Sequence, residues 1–245
     1  MPSFFVAPDA VTPPTIRITS PLLRHVKDSL RLVGGDILTL VEEGRRRHRA
    51  EITTTTDHLI ECRILDTTTA PVRSGPQLVL AQALLKGEKM DWVIQKSTEL
   101  GVDHIVPVQT TNAVVKVRPD RVEHQRARWE RIALEAAQQS ERWTVPTIGD
   151  PTDLSKAKAA YQSAAKFILA ERSTEMSLTT VTLPTGAHQT ILLAIGPEGG
   201  WNEDELRLMR EQGYRPLTLG SRILRAETAA IVALSIMQSR LGELG

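Results

Sequence analysis

Apolar and polar positions alternate in short runs through the first part of the chain. Each run has the length of a strand, and turn residues such as Gly34-Gly35-Asp36 separate the runs. Alternation with a period of two residues is typical of strands that bury one face. The predicted strands are Ile37–Val41, Ala50–Thr56 and Leu59–Leu65. Because short strands follow one another closely, we predict a small β-barrel domain over residues 1–73.

The pattern changes after a polar segment, Thr67–Pro76, which contains two prolines and a glycine and is predicted to be a linker. Beyond it, nearly continuous apolar runs alternate with segments in which apolar residues recur with the helical period. This alternation predicts an α/β domain with a parallel sheet over residues 74–245. The predicted strands are Leu78–Ala83, His104–Val108, Lys166–Ala170, Thr190–Ile195 and Pro216–Leu219, and the predicted helices are Met90–Leu100, Arg121–Gln139, Glu203–Glu211 and Ala226–Leu241.

The composition fits a globular protein. The chain has 245 residues, of which 41% are hydrophobic, enough to form the core of one large or two smaller domains. Its 30 basic and 29 acidic residues nearly balance, which excludes a histone-like protein and a protein with an acidic tail. A local basic patch for nucleic acid is compatible with this balance.

The chain also lacks the patterns of a membrane or secreted protein. No apolar run reaches the length of a membrane-spanning helix, and the first residues lack the basic segment and apolar run of a secretory signal. A single cysteine, Cys62, excludes an internal disulfide and a cysteine-rich zinc site. We therefore expect a soluble cytoplasmic protein that does not depend on a metal.

A basic cluster interrupts the predicted barrel strands. Residues Gly44–Arg49 contain four arginines: Arg45, Arg46, Arg47 and Arg49. Such a cluster is either the solvated tip of a hairpin or a contact for phosphate groups of a nucleic acid. The sequence alone supports both interpretations equally.

A glycine-rich loop, Gly196–Gly200, directly follows a predicted strand and precedes a helix. Asn202 is predicted to be the N-cap of that helix, with Glu205 as its capping-box partner. Loops at the carboxyl edge of a parallel sheet are where α/β proteins bind ligands. The loop matches neither dinucleotide nor triphosphate fingerprints. A plain tight turn would explain the glycines but would not explain the charge of Glu198.

Two further segments carry polar residues in ordered positions. Leu219–Thr228 places Arg222, Arg225 and Glu227 at a helix entrance, where anions bind readily, although a salt-bridged cap would give the same pattern. Glu135–Arg142 ends a long helix with polar side chains on roughly one face, which is also compatible with structural capping.

Three segments, taken together, resemble one family. They read EAAQQSER (135–142), GPEGGWNEDEL (196–206) and LGSRILRAETAAIVAL (219–234), and the combination is similar to the RsmE-type members of the SPOUT methyltransferase superfamily. The segment LLKGEKMDWVIQKSTELG (84–101) and, more weakly, Phe4–Val6 and Leu22–Val26 extend the resemblance over nearly the whole chain. Asn112 is a departure, since relatives tend to carry arginine there.

The resemblance implies a SPOUT-type parallel sheet with a C-terminal trefoil knot, preceded by a PUA-like RNA-binding barrel. It also implies a homodimer in which both subunits contribute to the RNA site. Members of the family methylate ring nitrogen 3 of a uridine in the 16S ribosomal RNA of the small subunit, with S-adenosylmethionine as the methyl donor. The same activity, cofactor and RNA partner are therefore implied for this chain.

The resemblance also implies a set of binding residues. S-adenosylmethionine would lie between the glycine-rich loop and the Leu219–Thr228 loop, with its adenine held largely by backbone groups. The implied cofactor-binding residues are Leu193, Gly196, Gly199, Gly200, Leu219, Gly220, Ile223, Leu224 and Thr228. The residues expected to bind RNA are Arg24, Arg31, Arg45, Arg46, Arg47, Arg49 and Lys86.

The expected catalytic residues are Arg225, Glu198 and Arg142. Arg225 would stabilise negative charge that develops on the uracil carbonyl groups. Glu198 or Glu227 would take the proton from ring nitrogen 3, and the sequence does not decide between them. Arg142 would either anchor an RNA phosphate or pair with Glu198.

Two other functions are compatible with the sequence. One is a SPOUT methyltransferase that acts on transfer RNA. The other is a non-catalytic RNA-binding protein in which the glycine-rich loop is only a turn. The first differs from the main hypothesis in the RNA that is methylated, and the second in having no affinity for S-adenosylmethionine.

Overall fold

The computed structural model describes residues 3–113, 115–153, 156, 161–170 and 176–244. The chain forms two compact units. The first unit consists of the chain up to Val72 together with Ala137–Val145, and the second consists of Arg73–Ala136 and the chain from Pro146 onward. Residues 137–145, which the sequence pattern assigns to the C-terminal domain, thus belong to the first unit.

The first unit contains a six-stranded sheet in the order β1-β4-β5-β6-β3-β2. Its neighbouring strands are antiparallel except for the parallel pair β1 and β4. A short helix, α1 (Leu22–Arg24), continues into a π-helical turn, His25–Ser29. The strands are β1 (Ser3–Val6), β2 (Val11–Thr12), β3 (Thr15–Ile18), β4 (Ile37–Glu42), β5 (Arg46–Thr55) and β6 (Ile60–Thr69).

The alternating pattern of the first unit forms its core. Side chains at every second position of β4 and β6, such as Leu38, Leu40, Ile60 and Cys62, are fully buried in one cluster. Strand β5 begins at Arg46, four residues earlier than the sequence pattern predicts, because the arginines pair with β4 and β6. Most of the basic cluster therefore lies in a strand and not in a turn.

Residues 137–145 join the first unit through the hairpin between β4 and β5. The backbone N–H of Gly44 donates to the carbonyl oxygen of Trp143 at 2.8 Å. The N–H of Val145 donates to the Glu43 carboxylate at 2.9 Å. The contact pairs residues far apart in sequence, which is why no local pattern indicates it.

The second unit contains an all-parallel sheet in the order β10-β8-β7-β12-β11-β13, with β9 also pairing with β8. The sequence-based prediction of a parallel sheet is confirmed. The strands are β7 (Gln77–Ala83), β8 (His104–Gln109), β9 (Thr147–Ile148), β10 (Thr152–Asp153), β11 (Ala165–Leu169), β12 (Thr190–Ile195) and β13 (Arg215–Leu217).

In the described part of the chain, four longer helices follow or connect these strands. They are α2 (Lys89–Glu99), α3 (Val122–Gln139), α4 (Glu203–Glu211) and α5 (Ala226–Arg240). Helices α2 and α5 pack against each other. Within the described ranges, no helix is both long enough and apolar enough to cross a membrane.

The sheet topology brings several loops to one edge. Strand β12 lies between β7 and β11, and β13 lies on the far side of β11. Because these strands are parallel, the segments that follow β11, β12 and β13 all leave the sheet at its carboxyl edge. Strand β13 ends at Leu217, two residues earlier than the sequence pattern predicts, so Thr218 and Leu219 belong to the loop.

Candidate active site

A cavity of about 730 Å³ opens at the carboxyl edge of the parallel sheet, within the second unit. Its walls come from the ends of β11 and β12, the glycine-rich loop, the loop after β13 and the first turn of α5. One residue of α2, Lys89, completes the lining. Such a volume lies within the range of about 300–1,000 Å³ that is usual for small-ligand pockets.

The glycine-rich loop is held at its end by the predicted capping box. The N–H of Glu205 donates to the Asn202 side-chain oxygen at 2.7 Å, and the N–H of Asn202 donates to the Glu205 carboxylate at 3.0 Å. The same carboxylate accepts a hydrogen bond from the N–H of Thr111 at 2.8 Å. The start of α4 is thereby tied to the segment that follows β8, and the predicted roles of Asn202 and Glu205 are confirmed.

Two glycines of this loop lie so close to neighbouring groups that a side chain would need those groups or the loop to shift. A Cβ on Gly196 would lie 3.1 Å from the Trp201 indole, which is fixed by its own hydrogen bond to the Leu169 carbonyl at 2.9 Å. A Cβ on Gly199 would lie 3.2 Å from the Cβ and 3.3 Å from the carbonyl oxygen of Asn112. The side-chain amide of Asn112 donates to the carbonyl of Gly200 at 3.2 Å. The loop therefore packs closely against Trp201 and Asn112.

The loop after β13 presents the guanidinium group of Arg225 to the cavity. Arg225 is the N-cap residue of α5, and its carbonyl accepts the first hydrogen bond of the helix, from the N–H of Ala229 at 2.8 Å. Its exposed side chain lines the cavity. No described residue forms a hydrogen bond or ion pair with this side chain. The alternative of a salt-bridged cap is not what the structure shows for Arg225.

The carboxylates of Glu198 and Glu227 pair with Lys89. The Lys89 ammonium lies 3.2 Å from Glu198 Oε1 and 3.5 Å from Glu227 Oε1. The backbone N–H of Lys86 also donates to Glu198 Oε1, at 3.3 Å. Glu198 lines the cavity, whereas Glu227 does not. The Lys89 ammonium therefore forms ion pairs with two carboxylates, one in the loop after β12 and one in α5.

These contacts change the acidity of Glu198. Partial burial raises the pKa of this carboxyl group, but the N–H groups of Glu198 itself and Lys86, together with the Lys89 ammonium, outweigh that effect. Its pKa therefore lies below the ordinary glutamate value. Glu198 is ionised at neutral pH and faces the same cavity as the unpaired Arg225, an arrangement that can accept a proton and stabilise a developing anion.

Comparison with known proteins identifies the family. Residues 73–238 match the family model described as an RNA methyltransferase domain. The chain is 32% identical to ribosomal RNA small subunit methyltransferase E of Bacillus subtilis, over 91% of this chain and 89% of the relative. The chain belongs to the ribosomal RNA small subunit methyltransferase E family. The resemblance of the three sequence segments is thereby confirmed.

Two solved structures agree with this family assignment. A ribosomal RNA small subunit methyltransferase E from Neisseria gonorrhoeae, bound to S-adenosyl methionine, superposes with a TM-score of 0.86 at 33% identity and covers 98% of both chains. A methyltransferase from Legionella pneumophila, in complex with the cofactor SAM, gives a TM-score of 0.87 at 31% identity and covers 97% of both chains.

In this member of the methyltransferase E family, most residues predicted to bind the cofactor line the cavity. They are Gly196, Gly199, Gly200, Leu219, Gly220, Ile223 and Leu224. Two others do not. Leu193 is fully buried inside β12, between Leu80 and Phe167 of the neighbouring strands. Thr228 is exposed on α5, away from the face on which Ala226 and Ala229 line the cavity.

The three residues predicted to be catalytic belong to two different units. Glu198 and Arg225 both line the cavity of the second unit. Arg142 follows α3 in the first unit, half-buried, and its N–H donates to the carbonyl of Ala137 at 2.9 Å. Within the second unit, Glu198 and Arg225 are brought together at one cavity.

The predicted RNA-binding residues differ in exposure. Arg47 is half-buried, donates to the Glu141 carbonyl at 2.7 Å and stacks on the Trp143 ring at 4.2 Å. This arginine thus stabilises the first unit itself. The others are exposed: Arg24, Arg31, Arg45, Arg46, Arg49 and Lys86.

Sequence reasoning missed Lys89, Trp201 and Asn112 as parts of the site. Lys89 directly precedes a predicted helix and lies among other charged residues, and nothing local distinguishes it from a solvated lysine. Trp201 carried a usable signal, because it directly follows the paired glycines. In the sequence, Asn112 differs from its neighbours only as a departure from the family pattern, whereas its contacts with the glycine-rich loop give it a structural role.

Proposed function

We propose that this protein methylates ring nitrogen 3 of a uridine in the 16S ribosomal RNA of the small subunit, with S-adenosylmethionine as cofactor. The observation that carries the proposal is the cavity in which Glu198 is held ionised while Arg225 stays unpaired. The names of the relatives and the S-adenosyl methionine in the Neisseria gonorrhoeae structure support it.

The residues of the cavity fit the cofactor. Apolar side chains such as Leu219, Ile223 and Leu224 can exclude water around an adenine ring, and the neighbouring glycines allow the backbone to approach it. Backbone groups of both loops would hold the purine edge. When bound, S-adenosylmethionine supplies a sulfonium methyl group, which is an electrophile.

The protein's own side chains manage the proton and the charge. Ring nitrogen 3 of uridine carries a proton at neutral pH, which must leave before or during transfer. Glu198 would accept it, since this carboxylate faces the cavity and Glu227 does not. The guanidinium of Arg225 would donate to the uracil carbonyl oxygen that gains negative charge as the proton leaves.

The family fold adds features beyond the observed topology. The six-stranded sheet of the first unit would close into a PUA-like RNA-binding barrel, and the chain of the second unit would form a trefoil knot around β12 and β13. The placement of β12 between β7 and β11 and of β13 beyond β11 supports the crossing connections that such a knot requires.

A homodimer is part of the same proposal. Helices α2 and α5 pack together, and both leave apolar side chains in contact with solvent. Trp92 of α2 is 42% exposed, and Ile231, Val232 and Ile236 of α5 are only partly buried. A helix that is apolar on all sides usually lies inside a larger core, which a second copy of the chain would supply.

RNA would bind to the exposed arginines of the first unit, with Arg142 anchoring a phosphate group. Stacking on RNA bases needs exposed aromatic side chains, and most of those in the described residues are buried or partly buried. Contact between the exposed arginines and the phosphate groups of the RNA backbone is therefore favoured. The reaction would take place in the cytoplasm, where small ribosomal subunits are assembled.

Replacing the exposed arginines Arg45, Arg46 and Arg49 with serine is expected to flatten the salt dependence of RNA binding. Each lost phosphate contact should lower the slope of log affinity against log salt by about 0.7–0.9. Filter binding or fluorescence anisotropy between low and moderate salt measures the slope. Arg47→Ala is the contrasting variant, because it should instead lower the free energy of unfolding by about 1–3 kcal/mol. An unchanged slope in the triple variant would mean that these arginines are solvated and do not contact RNA phosphate groups.

Mapping of methyl groups in RNA tests the proposed function. RNA from cells that lack the protein should have lost one N3-methyluridine from the small-subunit RNA, and the purified protein with S-adenosylmethionine should restore it. Loss of a methyl group from transfer RNA instead would favour the transfer-RNA alternative. Calorimetry that shows no binding of S-adenosylmethionine, with or without a chelator, would favour the non-catalytic alternative.

A further inference from the structure

Lys89 is the only described cation that contacts either acidic group of the site. Its ammonium reaches Glu198, in the loop after β12, and Glu227, in the first turn of α5. The Lys89 side chain is 36% exposed, whereas those of Glu198 and Glu227 are 26% and 15% exposed. The three groups belong to three elements that meet at one wall of the cavity.

Glu227 depends strongly on this contact. Its Oε2 atom is buried and forms no hydrogen bond with the described residues. A buried carboxylate oxygen without a hydrogen bond costs free energy, and the adjacent Lys89 ammonium offsets part of that cost. Glu227 lies in the first turn of α5, where the helix dipole also favours a negative charge.

Arg225 and Arg222 are the other cations at the cavity. Both line it from the loop after β13, and neither forms an ion pair with a described residue. If Lys89 were absent, the two carboxylates would be left without a cation, and Arg225 would be the nearest candidate along the chain to replace it. A guanidinium paired with a glutamate would have fewer donors left for a substrate.

We propose that Lys89 is a positioning residue that pairs with Glu198 and Glu227 together and thereby leaves Arg225 available to the substrate. The inference rests on the proposed function, because it assigns Glu198 as the proton acceptor and Arg225 as the donor to the uracil. Lys89 acts through these two side chains and takes no part in methyl transfer itself.

The substitution Lys89→Met tests this role, since methionine is an unbranched side chain only one atom shorter and removes the charge. The charged groups that then remain at this part of the site are Glu227, which shares Lys89 with Glu198 in the wild type, and the cavity-lining Arg222 and Arg225. Titration of the Glu198 carboxyl carbon by NMR, assigned with Glu198→Gln, should show a midpoint about one pH unit or more above that of the wild type. That shift corresponds to a tenfold or larger gain in proton affinity.

Lys89→Arg should return the midpoint close to that of the wild type, because it restores the charge. Lys96→Met is the matched control. Lys96 lies on the same helix and pairs with Glu99 at 2.7 Å, so this variant removes an equivalent ion pair that does not line the cavity. It should leave the titration of Glu198 unchanged.

The acid limb of single-turnover methyl transfer should move upward with the NMR midpoint in Lys89→Met and return in Lys89→Arg. A Glu198 midpoint that stays in place in Lys89→Met would overturn the proposal. A moved midpoint with an unmoved acid limb would overturn the role of Lys89 in transfer. Wild-type protein that transfers no methyl group to any RNA would instead overturn the proposed function, and the NMR titration would still decide whether Lys89 controls the carboxylates.

Discussion

Replacing Arg225 with alanine is expected to reduce single-turnover methyl transfer by about a hundredfold or more, the scale of loss when one preorganised donor is removed. The affinity for S-adenosylmethionine should change little, because backbone groups of the two loops are proposed to hold the adenine. The melting temperature should also change little, since the Arg225 side chain has no hydrogen bond or ion pair with the described residues. Rapid-quench transfer assays, calorimetry and thermal unfolding measure the three quantities.

Two further variants make this test specific. Arg225→Lys keeps the charge and loses the planar fork of donors, so its rate should lie between those of the wild type and the alanine variant. Arg207→Ala removes a surface arginine of α4 that pairs with Asp204 and does not line the cavity, and it should leave transfer unchanged. A stable Arg225→Ala protein that binds cofactor and transfers methyl groups at a near-normal rate would contradict the catalytic role. A joint loss of stability and cofactor affinity would indicate a structural role.

The elements of the second unit were predictable where their signals are local. Strand β12 and helix α4 have the bounds that the sequence pattern predicts, Thr190–Ile195 and Glu203–Glu211. A continuous apolar run marks the strand, and the capping box of Asn202 and Glu205 marks the start of the helix. The position of the glycine-rich loop, between the end of β12 and the start of α4, could therefore be predicted from the sequence.

The parts that could not be predicted depend on contacts between distant residues. Strand β1 pairs in parallel with β4, more than thirty residues further along the chain, and no alternating run of its own is long enough to indicate it. Arg47 belongs to a basic cluster in the sequence, but Trp143 and Glu141 give it an internal role. In the same way, Lys89 can be assigned to the site only once the fold places Glu198, after β12, and Glu227, in α5, beside its ammonium group.

The substitution Gly199→Val is expected to weaken the binding of S-adenosylmethionine by about tenfold or more. The backbone of Gly199 can accept a side chain, since its φ angle lies outside the left-handed region, so the effect must come from space. A Cβ would lie 3.2 Å from the Cβ and 3.3 Å from the carbonyl oxygen of Asn112, closer than ordinary contact. Such overpacking costs about 1–3 kcal/mol, and about 1.4 kcal/mol corresponds to a tenfold change in affinity. Calorimetry with the cofactor measures the change.

The cost of Gly199→Val should fall on the cofactor because the loop can relieve the contact by moving away from Asn112 into the cavity. Asn112→Gly tests that reasoning, since it removes the Cβ from the contact, and it should recover part of the lost affinity when it is combined with Gly199→Val. Gly34→Val is the control: it lies in the first unit, its nearest neighbour would be 4.0 Å from the new Cβ, and its φ angle is also outside the left-handed region. It should leave cofactor affinity unchanged. If Gly199→Val binds S-adenosylmethionine as tightly as the wild type and unfolds at the same temperature, the glycine-rich loop does not contact the cofactor.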